Sequence, residues 1–337
     1  MPISSKRPTL RDIARLADVS APTVSRVINN HPYVSDQKRE RVLEVMRAVG
    51  YRPNKAAQML STQRSNFIEV ISLHATHSFF RNTIVHISFA ARALGYQVLF
   101  APVPEDELIK TLDSAVSRLV DGIILVAPGW ISKITDEELL TFARGVPLAV
   151  LAVEPGSSLP SVVYDQALGA RLATQHLIDL GHQDVAEITG PPNMVDALMR
   201  HRAWEQTLCE HGIEPGQSVA GGFNAKNGYE AMKKLLADGH RFTALFAGND
   251  RMALGALLAL HEQGLHVPDD VSVVGFDDIE EAAYCIPPLT TVRQDLPKLG
   301  ALITECLISQ INNPDADHDQ LVLAPELIAR NSTARAR

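Results

Sequence analysis

The chain has 337 residues, a length that predicts two or three domains. Apolar residues make up 46% and charged residues 21%, which excludes a chain that is disordered by composition, and no apolar run is long enough to span a bilayer. The net charge of −8 is unevenly spread: residues 1–64 hold twelve Lys/Arg and five Asp/Glu, a net of +7, and the other 273 residues carry −15. We call residues 1–64 the head and the remaining residues the body. A basic head on an acidic body predicts a small domain that binds the phosphates of a nucleic acid.

The chain start and the cysteines indicate where the protein works. The first twelve residues are polar and lack the apolar region of a secretory signal, so we expect a cytoplasmic protein. Cys209, Cys285 and Cys306 are widely separated and form no CxxC motif. They are typical of reduced core thiols rather than of a disulfide frame or a zinc site, and we expect neither a metal nor a cofactor.

Helix start signals divide the head into short helices. Thr9 and Asp12 form a capping box for the first helix, and after a tight turn Ser20 is a good N-cap for the second. Ser35 is predicted to cap a third helix, which Gly50 ends. Three short helices, the first two joined by a tight turn, predict a helix-turn-helix unit.

The second predicted helix has the features of a DNA reader. Small residues at its start let the backbone approach base edges, and Arg26 can make a bidentate contact to guanine. The alternative is an ordinary three-helix domain with an exposed arginine. The basic excess and the capped turn favour DNA binding.

The run TLRDIARLADVSAPTVSRVINNHPYVSDQKRERVLEVMRAVGYRPNKAAQML, residues 9–60, resembles the head of the lactose-repressor (LacI/GalR) family of bacterial transcription regulators. The resemblance implies that Ala21 and Pro22 set base preference, that Arg26 reads a base, and that neighbouring hydroxyl and amide side chains hold phosphates. The implied DNA-binding residues are Thr9, Ser20, Ala21, Pro22, Thr23, Ser25, Arg26, Asn29, Asn54, Lys55, Ala57 and Leu60. Because Ala21 and Pro22 bring no side-chain hydrogen bonds, we expect apolar contacts there and more reliance on Arg26.

Residues 53–64 connect the head to the body. Their apolar positions suit a helix, but one shorter than about 12 residues is marginal in water and needs support. The resemblance implies a hinge helix that pairs with its symmetry mate in the minor groove, with Leu60 as the wedge that opens a base step. The alternative is an ordinary linker.

From residue 67 onward, short apolar runs alternate with amphipathic stretches. The predicted strands are 67–73, 97–101, 122–127, 148–153, 161–164, 185–189, 244–248 and 271–276. Strand–helix alternation predicts parallel sheets with helices on both faces, and the length of the body favours two lobes over one large sheet. We expect a ligand in the cleft between the lobes, at the carboxyl ends of strands.

Polar and aromatic groups follow several predicted strands. They are His77 to Phe80, Asp165, Arg200, Asn249-Asp250 and Asp277-Asp278. Carboxylates, an arginine and an amide can each bridge neighbouring hydroxyls, and aromatic rings can cover the C–H face of a sugar. Taken singly, each has a plainer interpretation as core, turn or helix cap; their convergence on one rim favours a polyhydroxylated ligand.

The segment FAGNDRMALGALLALHEQGLHVPDDVSVVGFDDIEEAAYCIPPLTTVRQDLPKLG, residues 246–300, resembles the body of the same family. The resemblance implies Arg200, Asn249 and Asp277 as main ligand-binding residues, and Phe79 on a loop that covers the ligand. The implied effector-binding residues are His77, Phe79, Phe80, Tyr164, Arg200, Phe223, Asn249, Asp277 and Gln294. Ala152 stands where the family's lactose-responsive member has a carboxylate, so a galactoside is not assumed. His77-Ser78 and Ala203 are further departures.

The sequence therefore predicts an N-terminal three-helix helix-turn-helix domain (1–52) plus a hinge helix (53–64), followed by a two-lobed α/β effector domain. That domain (65–337) is expected to have Rossmann-like parallel sheets of the periplasmic-binding-protein-like type. Lobe one comprises about 65–164 and 294–323, and lobe two about 165–293 and 324–335.

The predicted function is a sequence-specific transcriptional repressor that binds a palindromic operator as a homodimer under control of a small effector, a sugar or sugar derivative. Because no leucine heptads follow the body, a tetramer-forming coiled coil is not expected. A cytoplasmic sugar-binding protein or a sugar-acting enzyme is the alternative; the histidines lack metal-ligand spacing and no GxSxG, P-loop or GxGxxG motif occurs. Whether the effector releases or recruits the protein, and whether it represses or activates, stays open.

Overall fold

The computed structural model describes residues 8–29, 31–52, 59, 64–73, 78–118, 120–126, 135–151, 155–237, 242–315 and 319–337. The chain divides into two compact units, Met1–Ser65 and Asn66–Arg337. Most of the predicted hinge lies outside the described residues, including Asn54, Lys55, Ala57 and Leu60, as do His77 and Ala152.

Within residues 8–29 and 31–52 the head forms three helices: α1 (Leu10–Leu16), α2 (Ala21–Ile28) and α3 (Asp36–Ala48). The capping box is confirmed, because the Asp12 amide donates to Thr9 Oγ1 at 3.4 Å and the Thr9 amide donates to Asp12 Oδ2 at 3.0 Å. Ser20 caps α2 as predicted, accepting from the Thr23 amide at 3.3 Å. Ser35 stands at the N-cap of α3 but makes no side-chain capping bond, so the predicted cap is positional only.

One small apolar cluster holds the head together. Its buried members are Ile13, Ala14, Ala17, Val24, Val27, Val34 and Val42. Because Val24 and Val27 face this cluster, the opposite side of α2 points to solvent. The head is therefore a helix-turn-helix with one face of its second helix free.

The larger unit contains two four-stranded parallel sheets. The first comprises β1 (Phe67–Ser72), β2 (Gln97–Pro102), β3 (Gly122–Val126) and β4 (Leu148–Leu151), in the order β2-β1-β3-β4. Its helices are α4 (Ser78–Ala93), α5 (Leu108–Ser117) and α6 (Asp136–Ala143). β5 (Val162–Tyr164) follows β4 along the chain.

The second sheet comprises β6 (Val185–Thr189), β7 (Ser218–Ala220), β8 (Ala244–Ala247) and β9 (Ser272–Val274), in the order β7-β6-β8-β9. Its helices are α7 (Gln166–Asp179), α8 (Val195–Glu210), α9 (Ala225–Ala237) and α10 (Asp250–Glu262). The chain ends with β10 (Thr291–Arg293), α11 (Leu296–Asn312), β11 (Leu321–Leu323) and β12 (Glu326–Ile328). Short 3-10 helices occur at Glu105–Glu107 and Glu280–Ala283.

The chain crosses between the two lobes three times. β5 and its parallel partner β11 belong to lobe one, where α11 packs on α4, β3 and β4. β10 and its antiparallel partner β12 belong to lobe two, where both pack on α7. The crossings are therefore the segments 164–166, 293–296 and 323–326, and neither lobe is continuous in sequence.

The predicted fold class is confirmed: a helix-turn-helix head precedes a two-lobed α/β unit with parallel sheets. All eight predicted strands overlap observed strands. The sequence missed β7, β10, β11 and β12, which have three residues each and are too short to show an alternating pattern. The cysteines are free, but Cys209 is exposed, so its prediction as a core thiol was wrong. In the described part of the chain, no helix combines the length and apolarity needed to cross a membrane.

Candidate functional site: an exposed helix in the head and a polar ring in the body

Helix α2 presents its predicted DNA-contacting residues on its free face. Pro22, Arg26 and Asn29 are exposed, and Ala21 and Ser25 are partly exposed. The Arg26 side chain makes no hydrogen bond or ion pair with the described residues of the chain. Arg26 lies on a helix that the buried Val24 and Val27 hold in place. Its guanidinium is therefore available to bind a phosphate or a base edge.

The hydroxyl groups at the start of α2 are partly occupied. Ser20 Oγ and Thr23 Oγ1 lie 2.8 Å apart, and Ser20 also accepts from the Thr23 amide. Thr9 Oγ1 donates to Asp12 Oδ2 at 2.6 Å. Thr9 and Ser20 therefore also act as N-caps, and Thr23 is bonded to Ser20, which fixes these three predicted DNA contacts at the helix starts before any partner binds.

In the body, Arg200 lies at the centre of the predicted effector residues. It is 5% exposed and projects from α8. Its Nε donates to Gln166 Oε1 at 2.9 Å and its Nη1 donates to the Gly248 carbonyl at 2.5 Å. The guanidinium carbon lies 3.7 Å from the centroid of the Phe276 ring, so the cation is stacked as well as hydrogen-bonded.

Four side chains close a ring of polar contacts, which we call the polar ring: Arg200, Gln166, Gln294 and Asp277. Gln166 Nε2 donates to Gln294 Oε1 at 2.9 Å, and Gln294 Nε2 donates to Asp277 Oδ1 at 2.9 Å. Asp277 Oδ1 lies 3.6 Å from Arg200 Nη1, which completes the circuit. Gln166 and Gln294 stand at two of the three crossings, so the ring joins the connections between the lobes.

Burial controls the ionisation of the ring. It raises the pKa of Asp277 to about 6, against the opposing effect of Arg200. Burial also lowers the pKa of Arg200. Asp277 and Asp196 oppose this effect, because their negative charges favour the charged guanidinium. Asp277 is therefore a carboxylate above pH 6, while remaining easier to protonate than an exposed aspartate.

A second buried aspartate holds the loop that carries Asp277. Asp250 accepts from Thr291 Oγ1 at 2.5 Å and from the Ile279 amide at 2.9 Å. Burial, and then the charge of Asp277, raises the pKa of Asp250 well above its usual value. Asp277 itself has φ 110°, a region that L residues rarely adopt, so this scaffold keeps a strained backbone in place.

Asn249 is a helix cap in this structure. Its Oδ1 accepts from the Met252 amide at 2.9 Å at the start of α10, and its Nδ2 donates to the Phe223 carbonyl at 3.2 Å. The plainer interpretation of this residue therefore holds, and it leaves Asn249 one amide hydrogen for a ligand. Phe223 has φ 58°, which turns the chain so that its carbonyl reaches this amide.

Aromatic rings close the site. Tyr164 hydroxyl accepts from the Asp295 amide at 2.8 Å, and Phe79 and Phe80 pack edge to face with centroids 5.4 Å apart. Phe79 lies in the first turn of α4, so its predicted place on a covering loop was wrong: the helix begins at Ser78. Phe79 nevertheless lines three cavities at the polar ring.

The space around the polar ring is small. The cavity lined by Arg200, Asn249 and Asp277 has a volume of about 10 Å³, and a neighbouring one beside Tyr164 and Gln166 has about 20 Å³. Each of these two volumes is about the size of one water molecule. A larger cavity of about 400 Å³ lies alongside, between α4 and residues 277–281. Asp277 and Gln294 of the ring also line this larger cavity, whereas a sugar in the two small cavities requires the lobes to part.

Sequence reasoning missed three residues of this site. Gln166 lies two positions after Tyr164, at the end of a strand. A polar residue directly after a strand was the signal used to predict site residues, but here the prediction named Asp165. Asp165 caps α7 through the Leu168 amide at 2.8 Å. Asp196 precedes Arg200 by one helical turn and lines both small cavities. Phe276 was predicted only as part of a strand.

The acidic side chains Asp278 and Glu281, beside the site, face arginines. Asp278 accepts from Arg293 Nε at 2.7 Å and from Arg330 Nη2 at 2.6 Å, and Glu281 lies 3.9 Å from Arg251. Throughout the described ranges, no group of three or more His, Cys, Asp or Glu side chains is arranged to hold a metal ion. The Asp278 carboxylate instead fastens β10 and the segment after β12 to the Asp277 loop.

Comparison with known proteins gives two family matches. Residues 9–54 match the model of the bacterial regulatory proteins, lacI family, and residues 174–333 match the periplasmic binding protein-like domain. The ribose operon repressor of Escherichia coli (strain K12) is 33% identical over 329 residues, which cover 96% of this chain and 99% of that protein. The transcriptional repressor PurR of Histophilus somni (strain 129Pt) is 32% identical over 96% of this chain and 98% of its own.

Solved structures agree with these matches. The Lac repressor dimer bound to operator and the anti-inducer ONPF has a TM-score of 0.88 and 32% identity, covering 98% of this chain and 100% of that one. The transcriptional regulator CelR in complex with cellobiose has a TM-score of 0.71 and 31% identity, covering 97% and 100%. These relatives are transcriptional repressors or regulators, the class of protein that was predicted for this chain. The chain belongs to the LacI family of bacterial regulatory proteins.

Proposed function

We propose that this protein is a cytoplasmic transcriptional repressor that binds a palindromic operator as a homodimer and responds to a sugar bound at the polar ring. Residues 1–52 read DNA, 53–64 form the hinge, and 65–337 bind the effector and dimerise. Lobe one comprises about 65–164 and 294–323, and lobe two about 165–293 and 324–335. The residues predicted from the sequence to contact DNA and effector are the proposed sites.

DNA reading is supported by the geometry of α2. Its buried face fixes it against α1 and α3, and its other face presents an uncommitted guanidinium. The capped, short turn before it and the local charge of +7 complete the features of a major-groove reader. We assign Arg26 as the main base contact, with the α2 hydroxyl groups at phosphates.

Arg26→Ala is expected to weaken operator binding by about 5- to 150-fold, the value of a lost bidentate base contact of about 1–3 kcal/mol. Competition binding with operator duplexes mutated one base pair at a time measures it. The variant should lose discrimination at one position of each half-site. Arg15→Ala, which removes the same charge from α1, is the control and should weaken all duplexes alike. An equal loss on every duplex for Arg26→Ala would contradict its base-reading role.

Dimerisation is supported by apolar side chains left on the surface of lobe one. Val85 and Phe89 lie one turn apart on α4, which packs against β2 at the edge of the sheet. Leu94 and Phe100 are also exposed there. A monomer rarely exposes so many large apolar side chains together, and the Lac repressor neighbour is a dimer. We propose that a second copy covers this face and supplies the second half-site reader.

Phe89→Glu is expected to weaken the dimer at least about 100-fold, because a carboxylate would be buried without a partner in place of a side chain that is now 67% exposed. Sedimentation velocity over a concentration series measures the dissociation constant. Leu140→Glu, at another exposed apolar position on α6, is the control and should leave the dimer unchanged. A dimeric Phe89→Glu protein would move the interface elsewhere.

Effector binding is supported by the composition of the ring and its surroundings. Carboxylate, guanidinium and amide groups converge between aromatic rings, which suits hydroxyl groups on one side and C–H faces on the other. Because two ring members stand on the crossings, a ligand there changes the angle between the lobes. We propose that this change alters the spacing of the paired hinges, which then form or melt against the minor groove.

The observation that carries the proposal is the presence in one chain of a free, arginine-bearing recognition helix and a polar ring at the lobe crossings. The first experiment is selection from a random duplex pool with the full chain. We expect a palindrome with a flexible central step, since a dimer reads two half-sites and its hinges bend the centre. Recovery of no preferred sequence, with and without added metabolites, would refute the regulatory function.

A further inference from the structure

Asp196 is a carboxylate at the effector site to which no role has been given. It lies in the first turn of α8, one turn before Arg200 and on the same side of the helix. It lines both small cavities, together with Phe79 and Phe80. Its side chain makes no hydrogen bond to any residue in the described part of the chain, so its acceptor oxygens are available to a ligand in these cavities.

Arg200 does not neutralise this carboxylate by direct contact. Two of its three nitrogens already donate to protein oxygens, those of Gln166 and Gly248, and its charge faces Asp277. Its plane is fixed on Phe276. The arginine is therefore a framework group, and its fork is not free to take a phosphate or a carboxylate in the two-pronged manner.

Acidic side chains outnumber basic ones in the two small cavities. Among the described residues that line the two small cavities, Arg200 is the single cation and Asp196 and Asp277 are both acids. Burial raises the pKa of both carboxyls while Arg200 opposes it, and Asp277, with a pKa of about 6, is ionised under neutral conditions. Carboxylate oxygens only accept hydrogen bonds, so a ligand must bring donors to them.

We propose that this site selects its effector by charge, taking a sugar with no acidic group and excluding phosphorylated sugars and sugar acids, with Asp196 as the residue that sets this choice. The inference rests on the proposed effector function and adds the ligand class. Hydroxyl or ammonium groups of the sugar donate to Asp196. An acidic group would lie against this carboxylate, and among the described residues that line the two small cavities the single cation is Arg200, whose Nε and Nη1 already donate to the protein.

The first test determines the charge of the effector directly. A small-molecule extract of the source cells is separated by ion exchange into anionic, neutral and cationic fractions. Each fraction is added to the full chain bound to a labelled operator selected from the random pool. We expect the neutral or the cationic fraction to change operator binding. Activity confined to the anionic fraction would overturn the charge selection alone; activity in no fraction would overturn the effector function with it.

The second test isolates Asp196. The sugar purified from the active fraction and its monophosphate are titrated by calorimetry against the wild-type chain and Asp196→Asn. The wild type should prefer the unphosphorylated sugar by at least about 100-fold, and the variant should narrow that preference at least about 10-fold. Glu214→Gln, which removes an exposed carboxylate outside the site, is the control and should keep the wild-type preference. An unchanged preference in a folded Asp196→Asn chain would overturn its role.

Discussion

Arg200→Lys is expected to raise the effector concentration for half-maximal response about 100-fold. Lysine keeps the charge but has a single nitrogen, so it cannot donate to Gln166 and Gly248 together or stack on Phe276. Altering one partner of a buried, hydrogen-bonded charge pair costs about 2–5 kcal/mol, and the retained charge places this variant near the lower end. Titration of the change in operator binding with the active fraction measures the shift.

Arg202→Lys is the matched control, because Arg202 lies two residues further along α8 and is exposed. It should respond as the wild type does. A wild-type response from Arg200→Lys would mean that the polar ring is a structural link between the lobes and that the effector binds elsewhere. Circular dichroism melting of both variants separates this outcome from a failure to fold.

Asp277→Asn is expected to stabilise the protein at neutral pH while impairing its response. The pKa of Asp277 is about 6 in the folded chain against an ordinary value of 3.8, so its ionisation opposes folding. Its stabilising contribution is complete below pH 3.8 and is lost as the pH rises through 6. The difference between these two pKa values corresponds to about 3 kcal/mol of lost stability once Asp277 is ionised in both states. An asparagine cannot ionise, so it does not incur this loss at any pH.

The free energy of unfolding of Asp277→Asn should therefore exceed that of the wild type at about pH 7.5, and the two should converge below about pH 4. Denaturant unfolding at a series of pH values measures it. Asparagine also tolerates the positive φ at this position and keeps an acceptor for Gln294, so the comparison is free of added backbone strain. A variant less stable than the wild type at neutral pH would show that pairing with Arg200 outweighs burial.

The fold was predictable because its signals are local and repeated. Caps at Thr9 and Ser20 and a strand–helix alternation over most of the body follow from hydrogen bonding and periodicity within short windows. The three-residue strands β10 to β12 were missed because they depend on partners elsewhere in the sequence. β11 pairs with β5, which lies about half the chain length earlier, and no local pattern marks it.

The candidate site was predictable in part for a related reason. Asp277 directly follows a predicted strand and Arg200 lies in the segment after another, and the resemblance to a known family implied a role for both. Gln166 and Asp196 could not be predicted, because they belong to the site only through the tertiary structure, in which the crossings bring distant segments together. Asn249 shows the opposite case, because one side chain serves as a helix cap and remains at the site. Spacing alone does not separate those two uses.

The threefold crossing of the chain dictates the order in which the protein is completed during synthesis. The head is continuous and can fold as soon as its last helix leaves the ribosome. Lobe one waits for α11 and β11, and lobe two waits for Ser332, which accepts from the Thr290 amide at 2.8 Å and donates to the Val273 carbonyl at 2.6 Å. A nascent chain can therefore hold DNA-reading capacity before it can sense an effector, and loss of the last few residues would leave a reader without control.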